Sequence, residues 1–342
     1  MSIFTEFDFE NDVVENQKTK ISSGVFSGGS GTLTSFFTSS TQQATGSFLS
    51  VYHQDPNAGG TAATAEVQFD IGYAHFGGSG SLGNTTKTTA GNRESAAMYS
   101  QFAQVVLPPL SKKFKMTGAP TGSDSFFFLS FMRSRMREKL DPGNWELRIG
   151  NYRLIDDSNA TSNPTVNEGG RVFNVVTGSI ASGTATIKTT AESQSGGGLG
   201  LFYPDLGLII LDADQMKLKD SSNSAPLSHG VSTNAFDDNP QKLFNKLVAG
   251  SYFQVRREEE ISSTNYFCRV NNKRYNFSSN PTYATGSDGS FTQATFFKDP
   301  KVYITTVGLY NDDNELLAVA KLSKPVLKSY SREAIIKVKL DF

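Results

Sequence analysis

The C-terminal segment alternates between runs of strand-forming residues and short groups that favour turns. Two β-rich runs, Val302–Tyr310 and Glu315–Leu322, flank the sequence Asn-Asp-Asp-Asn, and a third run, Ala334–Phe342, extends to the last residue. Strand formers separated by turn formers are typical of hairpins. We therefore predict that this segment consists of antiparallel strands and that Ala334–Phe342 is held in a sheet.

The composition extends this expectation to the rest of the chain. Hydrophobic residues make up 37% of the 342 residues and charged residues 19%, and Gly, Ser, Thr and Asn fill much of the remainder. Such a mixture favours turns and short strands over long helices. The 26 Phe residues, against a single Trp, supply aromatic bulk for sheet cores. We predict a mainly β, β-rich α+β fold with antiparallel sheets in sandwich-like domains, a few short helices and long polar loops.

Charge, hydropathy and cysteine content restrict the partners and the compartment. With 32 basic and 33 acidic residues the net charge is −1, which gives no basic surface for nucleic acid at the level of the whole chain. The longest apolar stretch, near Leu206–Leu211, is far shorter than the ~20 residues of a membrane span. The start of the chain lacks the basic and apolar regions of a signal peptide. The single cysteine, Cys268, leaves no intramolecular disulfide and fits assembly in a reducing cytoplasm.

Polar loops at about residues 110–123 and 212–240 suggest domain boundaries. The chain is accordingly divided into an N-terminal arm (1–20), a Gly/Ser/Thr-rich region with one helix (21–120), a central β-rich domain (121–240) and a C-terminal β-rich domain (241–342). The arm is acidic and weakly patterned, so we expect a partner to order it.

Two helices are predicted from apolar periodicity and end signals. In Asn92–Leu107 apolar side chains recur at three- and four-residue spacing, and Pro108-Pro109 ends the helix. These apolar positions are Met98, Phe102, Val105 and Val106. A loop at Asn84–Gly91 precedes this helix. A second helix, Asn239–Val248, has Asn239 as its predicted N-cap and Pro240 at its first helical position.

A basic ladder follows directly on the apolar run Phe126–Met132. Its cations are spaced by two and would share one face if the strand continued. They are Arg133, Arg135, Arg137 and Lys139. Asp141–Asn144 predicts a turn, after which Trp145–Ile149 would return as the partner strand. Two interpretations of the ladder stay open, a solvated face or a subunit contact, and the acidic run Glu258–Glu260 is a second charge cluster of this kind.

No motif predicts a metal site or a cofactor. The sequence Gly196–Gly200 lacks the following helix and the Lys-Ser/Thr pair of a phosphate-binding loop, so we interpret it as a flexible connection. The histidines are isolated and are assigned to surface or packing roles. They are His53, His75 and His229. Asp312–Glu315 lacks the spacing of a calcium loop and is explained by a hairpin turn.

No motif predicts catalysis either, and we expect that the protein is not an enzyme. Cys268 lies in a strand pattern and is interpreted as a buried, inert thiol. Asp212 and Asp214 follow the run Leu206–Leu211 and are interpreted as a polar strand end at the surface. Paired acids at such a position also bind cations or serve as acid and base, so this alternative stays open.

Several stretches carry a resemblance to a known group of proteins. They are Gly91–Ala96 with Met98–Phe102, Arg133–Leu140 with Asp141–Trp145, Leu201–Gly207, and Val302–Ala320 with Lys321–Pro325. In these stretches the chain resembles virion proteins of T4-like myophages, especially those that infect marine cyanobacteria. The resemblance touches most of residues 85–342 and does not extend to residues 1–84.

The resemblance implies a structural component of the contractile tail, most of all of the baseplate and its wedge. Such a virion protein is made in the host cytoplasm and binds other tail or baseplate proteins or copies of itself, and the family supplies no catalytic residues. A strand added across a subunit boundary gains main-chain hydrogen bonds, so the last strand joins the basic ladder as a candidate interface. The candidates are Arg133, Arg135, Arg137, Lys139, Ile336, Val338, Leu340 and Phe342.

Two other functions remain as alternatives. Gly/Ser/Thr/Asn-rich β proteins often bind glycans, and a receptor-binding tail module would use exposed aromatic side chains such as Tyr52, Tyr73 and Phe76. A hydrolase acting on cell-wall or capsule polysaccharide would need two carboxylates facing each other across a cleft.

Overall fold

A computed structural model defines the fold for most of the chain. The described residues are 4–26, 31–38, 42, 48–53, 66–81, 93–116, 121–150, 152–160, 165–187, 198–220, 227–232, 236–277, 280–285 and 288–342. The predicted loop Asn84–Gly91 and the glycines at 196 and 197 lie outside these residues, as does Asn92 at the start of the predicted first helix.

The fold is mainly β with short helices, as the sequence predicted. The helices are α1 (Phe9–Asp12), α2 (Glu94–Val106), α3 (Arg133–Met136), α4 (Ala213–Asp220), α5 (Asn239–Gly250) and α6 (Thr295–Lys298). A 3-10 turn covers Pro281–Tyr283. Within the described residues, no helix is both long enough and apolar enough to cross a membrane.

The strands pair antiparallel wherever their register is defined. They are β1 (Val13–Gly24), β2 (Thr32–Leu33), β3 (Phe48–His53), β4 (Glu66–His75), β5 (Ser125–Phe131), β6 (Lys139–Ile149), β7 (Tyr152–Asp156), β8 (Thr165–Asn167), β9 (Gly170–Ala181), β10 (Thr184–Ile187), β11 (Gly200–Tyr203), β12 (Leu208–Asp212), β13 (Phe253–Val270), β14 (Ala284–Thr285), β15 (Ser290–Phe291), β16 (Val302–Tyr310), β17 (Leu316–Lys328) and β18 (Ala334–Asp341).

The chain divides into two compact units. The smaller unit combines Met1–Lys20 with Glu260–Phe342, and the larger unit is Ile21–Glu259. Strands β1 and β13 each contribute residues to both units. The boundaries predicted from sequence near residues 120 and 240 both fall inside the larger unit, and the predicted arm belongs to the smaller unit together with the C-terminal strands.

The larger unit is built on one antiparallel sheet. Its strand order is β13-β6-β7-β9-β11-β12-β5-β4-β3. Residues of β5 pair on one side with β4 and on the other with β12, which places this apolar strand in the interior of the sheet. Such a strand is buried on both faces and reads as a continuous apolar run, which is why Phe126–Phe131 shows no alternation.

The two faces of these central strands enter different cores. Phe69, Phe127 and Ile209 point into the main core, which α5 also enters through Leu243 and Leu247. The opposite face holds a second core of aromatic and aliphatic side chains covered by α2. Its buried members are Ala74, Tyr99, Val106, Phe114, Met116, Phe126, Phe128, Leu201, Tyr203, Leu208 and Ile210.

Both predicted helices are confirmed within one to three residues at their ends. Helix α2 begins after Arg93 and ends before Leu107, as the proline pair requires. Helix α5 begins one residue earlier than predicted, at Asn239, with Asp238 at the N-cap position. The Asn239 side chain does not cap the helix, because it hydrogen-bonds the backbone of Gly230, accepting from N at 2.8 Å and donating to O at 3.0 Å.

The predicted hairpin between Ser125 and Ile149 is wrong. After β5 the chain forms the short helix α3, and β6 pairs with β7 and β13 instead of β5. Asp141–Asn144 is not a turn but an insertion within β6. Val255 pairs with Trp145 and Arg257 with Leu140, so four residues of β6 oppose one of β13. The pairing of β6 with β13 determines that Asp141–Asn144 forms a bulge, because residues that favour turns are equally suited to a bulge.

A buried carboxylate holds this bulge. The Gly143 N–H donates to both oxygens of Asp156, at 2.8 and 3.1 Å, and the Ser158 N–H donates at 2.9 Å. Gly143 has φ +81°, a conformation that favours glycine. Burial raises the pKa of Asp156 despite these donors.

The smaller unit confirms the predicted C-terminal strands. Strands β16 and β17 form a hairpin, and β18 pairs with the second half of β13. Leu309 from the hairpin and Ile336 and Val338 from β18 form its buried core. Lys328 is fully buried. Its ammonium donates to the carbonyls of Asn272 and Arg274 and to the side chain of Asn276, and these hydrogen bonds stabilise the loop after β13.

Candidate interaction surface and ligand cleft

Strand β18 closes the protein's own sheet and leaves one edge exposed. The N–H groups of Ser262 and Phe342 each donate to the other's carbonyl, at 3.2 and 3.0 Å. Because such pairs alternate along an antiparallel ladder, the backbone groups of Ile335, Lys337 and Lys339 point away from β13. No strand among the described residues pairs with that edge. Lysines are typical of edges that resist further strand pairing.

The four C-terminal candidate residues, three in β18 and Phe342 directly after it, have different environments. The side chains of Ile336 and Val338 are buried in the core of the smaller unit, and Leu340 packs partly against the same core. Phe342 is 71% exposed. The side chains of Ile336 and Val338 therefore serve packing inside the unit, and Phe342 is the candidate that stays accessible.

The hairpin β16–β17 presents an apolar patch to solvent. Tyr310 and Leu316 are cross-strand partners, 43% and 51% exposed, and their side chains lie over Gly308. Val319, which pairs with Gly308, is 58% exposed, and the Phe4 ring lies 4.8 Å from that of Tyr310 between centroids. We call these residues, Phe4, Tyr310, Leu316 and Val319, the hairpin patch.

A side-chain hydrogen bond stabilises the turn next to the patch. The Glu315 N–H donates to the side-chain oxygen of Asn311 at 2.7 Å, and Asn314 adopts φ +62°. Asn tolerates this left-handed conformation better than most residues. The sequence predicted the turn, but it gave no indication that the adjacent apolar side chains remain exposed.

The basic ladder does not lie on a strand face. Arg133 and Arg135 lie on α3, Arg137 follows it with φ +59°, and Lys139 begins β6. The prediction of a continuous strand through these four residues is therefore wrong, because the chain turns into α3 at the end of β5.

Three of the four cations have carboxylate partners within the larger unit. Arg135 pairs with Glu66 and Arg137 with Glu259, where one guanidinium nitrogen meets both carboxylate oxygens at 2.9 and 3.0 Å. Lys139 pairs with Glu258 at 3.2 Å, with both side chains largely buried. Two residues of the acidic run thus complement the ladder within one chain. Arg133 is exposed and forms no ion pair with the described residues.

Ser125, His229 and Asp214 come together at one end of the central strands. The His229 Nε2 lies 3.5 Å from the Ser125 hydroxyl and 3.4 Å from an Asp214 carboxylate oxygen, while its buried Nδ1 has no hydrogen-bond partner. Nucleophilic catalysis by serine requires the carboxylate on one ring nitrogen and the hydroxyl on the other. Both groups here compete for the same nitrogen, so the arrangement does not match that geometry.

Burial dominates the protonation of this cluster. It lowers the pKa of His229, with the Asp214 carboxylate acting in the opposite direction, and it raises the pKa of Tyr73, which packs beside the imidazole. Asp212 is buried, not at the surface as predicted. Its carboxylate accepts from the N–H groups of Asp214 and Gln215 at the start of α4, at 3.0 and 2.9 Å.

The other titratable candidates have packing roles. His75 Nδ1 accepts from the Gly77 N–H at 2.9 Å and so supports the turn after β4. Cys268 is half-buried, and burial raises its pKa. Among the described residues, no three His, Cys, Asp or Glu side chains are grouped closely enough to hold a metal ion.

The aromatic residues proposed for glycan binding are not equivalent. Tyr73 is buried in the main core, so it is not the exposed platform that the sequence suggested. Tyr52 stacks on Phe37 with ring centroids 5.7 Å apart. Phe76 is partly exposed, and the Lys113 ammonium lies 4.8 Å from its ring centroid.

A cleft of about 410 Å³ lies between α2 and the sheet of the larger unit. Its wall is a stripe of α2 with members at three- and four-residue spacing, namely Met98, Gln101, Phe102 and Val105. Its floor comes from β4, β5 and β12 through Asp70, Phe128, Ser130 and Leu208. The apolar pattern of α2 includes both Val105 and Val106, but Val106 is buried and Val105 is 56% exposed at the cleft.

Comparison of the chain with protein-family models, with curated proteins and with solved structures gave no match.

Proposed function

We propose that the protein is a structural subunit of the contractile tail of a T4-like phage, in the wedge of the baseplate. Its partners are other tail or baseplate proteins, and its location is the virion after synthesis in the host cytoplasm. Its role is to hold neighbouring subunits in fixed geometry, and it performs no catalysis.

The residues that carry the resemblance have packing and positioning roles. Ser95 hydrogen-bonds Ser81 at 2.8 Å at the start of α2. The Tyr99 hydroxyl donates to the Ser123 carbonyl at 2.7 Å and accepts from the Phe114 N–H at 3.2 Å. Trp145 fills the main core. If the resemblance reflects a structural protein, the residues that carry it are expected to have packing roles. In an enzyme, such residues would be expected to include reactive side chains.

The hairpin patch is the observation that carries the proposal. Tyr310, Leu316 and Val319 lie exposed together on a two-stranded hairpin with a hydrogen-bonded turn, and the exposed Phe4 of the N-terminal segment packs against Tyr310. Tyr, Phe and Leu side chains grouped on a rigid element are typical of contact centres between proteins. The occupant we assign to the patch is another baseplate protein, as the resemblance implies. The exposed edge of β18 is a separate surface, and its Lys337 and Lys339 make it poorly suited to strand exchange between copies.

The double variant Leu316→Asp/Val319→Asp tests this assignment. Each phage baseplate protein is co-expressed with the wild type and with the variant, and the complexes are separated by size-exclusion chromatography. We expect at least one baseplate protein to bind the wild type. Its affinity for the variant should fall at least tenfold, because two carboxylates would be buried without partners.

Ser323→Asp serves as the control, since it adds one aspartate at an exposed site of β17 outside the patch, where the double variant adds two within it. Circular dichroism and the thermal unfolding midpoint establish that the variants remain folded. The proposal would be overturned if no baseplate protein bound the wild type, or if the double variant and the control bound equally well.

A further inference from the structure

We propose that the cleft between α2 and the sheet binds a small organic cation, an amine or guanidinium carried on an aliphatic or aromatic stem. This binding role is independent of the proposed tail function. The cleft volume of about 410 Å³ lies in the range of small-molecule sites, which are concave, mostly apolar and supplied with a few convergent polar groups.

The cleft provides an apolar bed for the stem. The Phe102 ring packs on the Phe128 ring, with centroids 4.7 Å apart, so wall and floor meet in an aromatic corner. Leu208 continues the floor, and Met98 and Val105 border the opening on the helix side. An aliphatic or aromatic group placed here would remove apolar surface from water.

The polar groups lie side by side at the floor. Asp70 of β4 and Ser130 of β5 are cross-strand partners, so their side chains share the face that α2 covers. Gln101 faces them from the helix. A carboxylate, a hydroxyl and an amide oxygen are all acceptors, and together they suit a group that donates several hydrogen bonds.

Asp70 determines the charge of the ligand. Its Oδ1 is buried and has no hydrogen-bond partner, and no described Lys, Arg or His forms an ion pair with the side chain. A buried carboxylate oxygen without a partner is costly, and the polar residues that share the cleft, Ser130 and Gln101, carry no positive charge. A cationic donor on the ligand supplies the counter-charge and donates to the carboxylate where Asp70 lines the cleft.

Ligand-observed NMR titration of the full-length protein tests the inference with 4-phenylbutylamine as the probe. The neutral analogue 4-phenylbutan-1-ol and the anionic analogue 4-phenylbutyrate have the same stem. We expect saturable binding of the amine at millimolar or lower concentration, at least tenfold weaker binding of the alcohol, and weaker binding still of the carboxylate.

Two variants place the binding in the cleft. Asp70→Asn keeps the shape and removes the charge, and it should weaken amine binding at least tenfold. Val105→Trp fills the opening from the exposed side of α2 and should abolish binding without disturbing the core. Gln104→Trp adds the same bulk to an exposed position of α2 outside the cleft lining and should leave binding unchanged.

The inference is overturned by any of three results. These are no saturable binding of the amine, equal binding of the amine and the alcohol, and amine binding that survives both Asp70→Asn and Val105→Trp. Binding of a neutral monosaccharide such as galactose in the same cleft, with no binding of the amine, would assign it to sugar recognition instead.

Discussion

The ring of Phe69 in β4 meets the ring of Phe253 in β13 edge-on, with centroids 5.3 Å apart and planes at 89°. Six strands separate β4 from β13 in the order of the sheet. Contact between such distant strands means that the sheet of the larger unit curls around its core until its far strands face each other. Phe26 and Phe131 join the same aromatic group, with centroids 5.4–6.5 Å from their neighbours.

Truncation of this aromatic group should destabilise the larger unit strongly. We expect Phe253→Ala to lower the free energy of unfolding by about 3–5 kcal/mol, since it removes a fully buried ring and leaves a cavity. Leu110→Ala, at an almost fully exposed site of the same unit, should change it by no more than about 0.5 kcal/mol. Urea unfolding followed by Trp145 fluorescence measures both, and similar effects of the two substitutions would contradict the curled sheet.

Protonation of His229 should make stability depend on pH. Burial holds its folded-state pKa below the ordinary value of 6.5, so below that value the unfolded chain binds more protons than the folded one. Stability is therefore fully present above pH 6.5 and is lost as the pH falls towards the folded pKa. Each single-proton difference contributes at most about 1.4 kcal/mol per pH unit.

The measurement is urea unfolding at a series of pH values below 6.5. His229→Gln should flatten the loss of stability relative to the wild type. Asp214→Asn should deepen it, because the carboxylate favours the protonated imidazole. Burial also lowers the pKa of His75, so a residual slope in His229→Gln is expected and should decrease further in a variant that also carries His75→Gln. Parallel curves for the wild type and His229→Gln would be inconsistent with a buried neutral imidazole.

Proline substitutions should distinguish the two edges of β18. The Lys337 N–H points away from β13, so Lys337→Pro removes no hydrogen bond of the ladder, whereas Val338→Pro removes the bond to Tyr266. We expect Val338→Pro to lower the thermal midpoint of the smaller unit much more than Lys337→Pro does. If the outer edge of β18 makes no subunit contact, Lys337→Pro should bind any protein identified by the co-expression experiment with unchanged affinity. A large loss of binding at unchanged stability would instead identify that edge as a subunit contact.

The smaller unit shows which structural features residues close together along the chain can predict. The strand-forming residues of Val302–Tyr310 and the turn residues after them predicted the hairpin, because both signals come from residues close together along the chain. The strand-forming run Ala334–Phe342 was compatible with pairing within the chain and with pairing across a subunit boundary. Only the position of β13 assigned Ile336 and Val338 to the unit's own core.

The larger unit shows where local reasoning fails. The apolar run Phe126–Met132 indicated a strand, but its neighbours β4 and β12 lie at least fifty residues away in sequence on either side. The cleft depends on those same pairings, because Asp70 and Ser130 become adjacent only when β4 lies beside β5. Single-residue patterns carry no information about such neighbours.

The sequence by itself determined the mainly β class, the helix that ends at the proline pair and the C-terminal hairpin, because each depends on residues close together along the chain. Tertiary structure decided that Ala334–Phe342 closes its own sheet, that the basic ladder is paired within the chain, and that Asp141–Asn144 is a bulge. It also decided that a carboxylate lies at the floor of an apolar cleft. Each of these depends on segments distant in sequence, whose pairing follows from the packing of the whole unit.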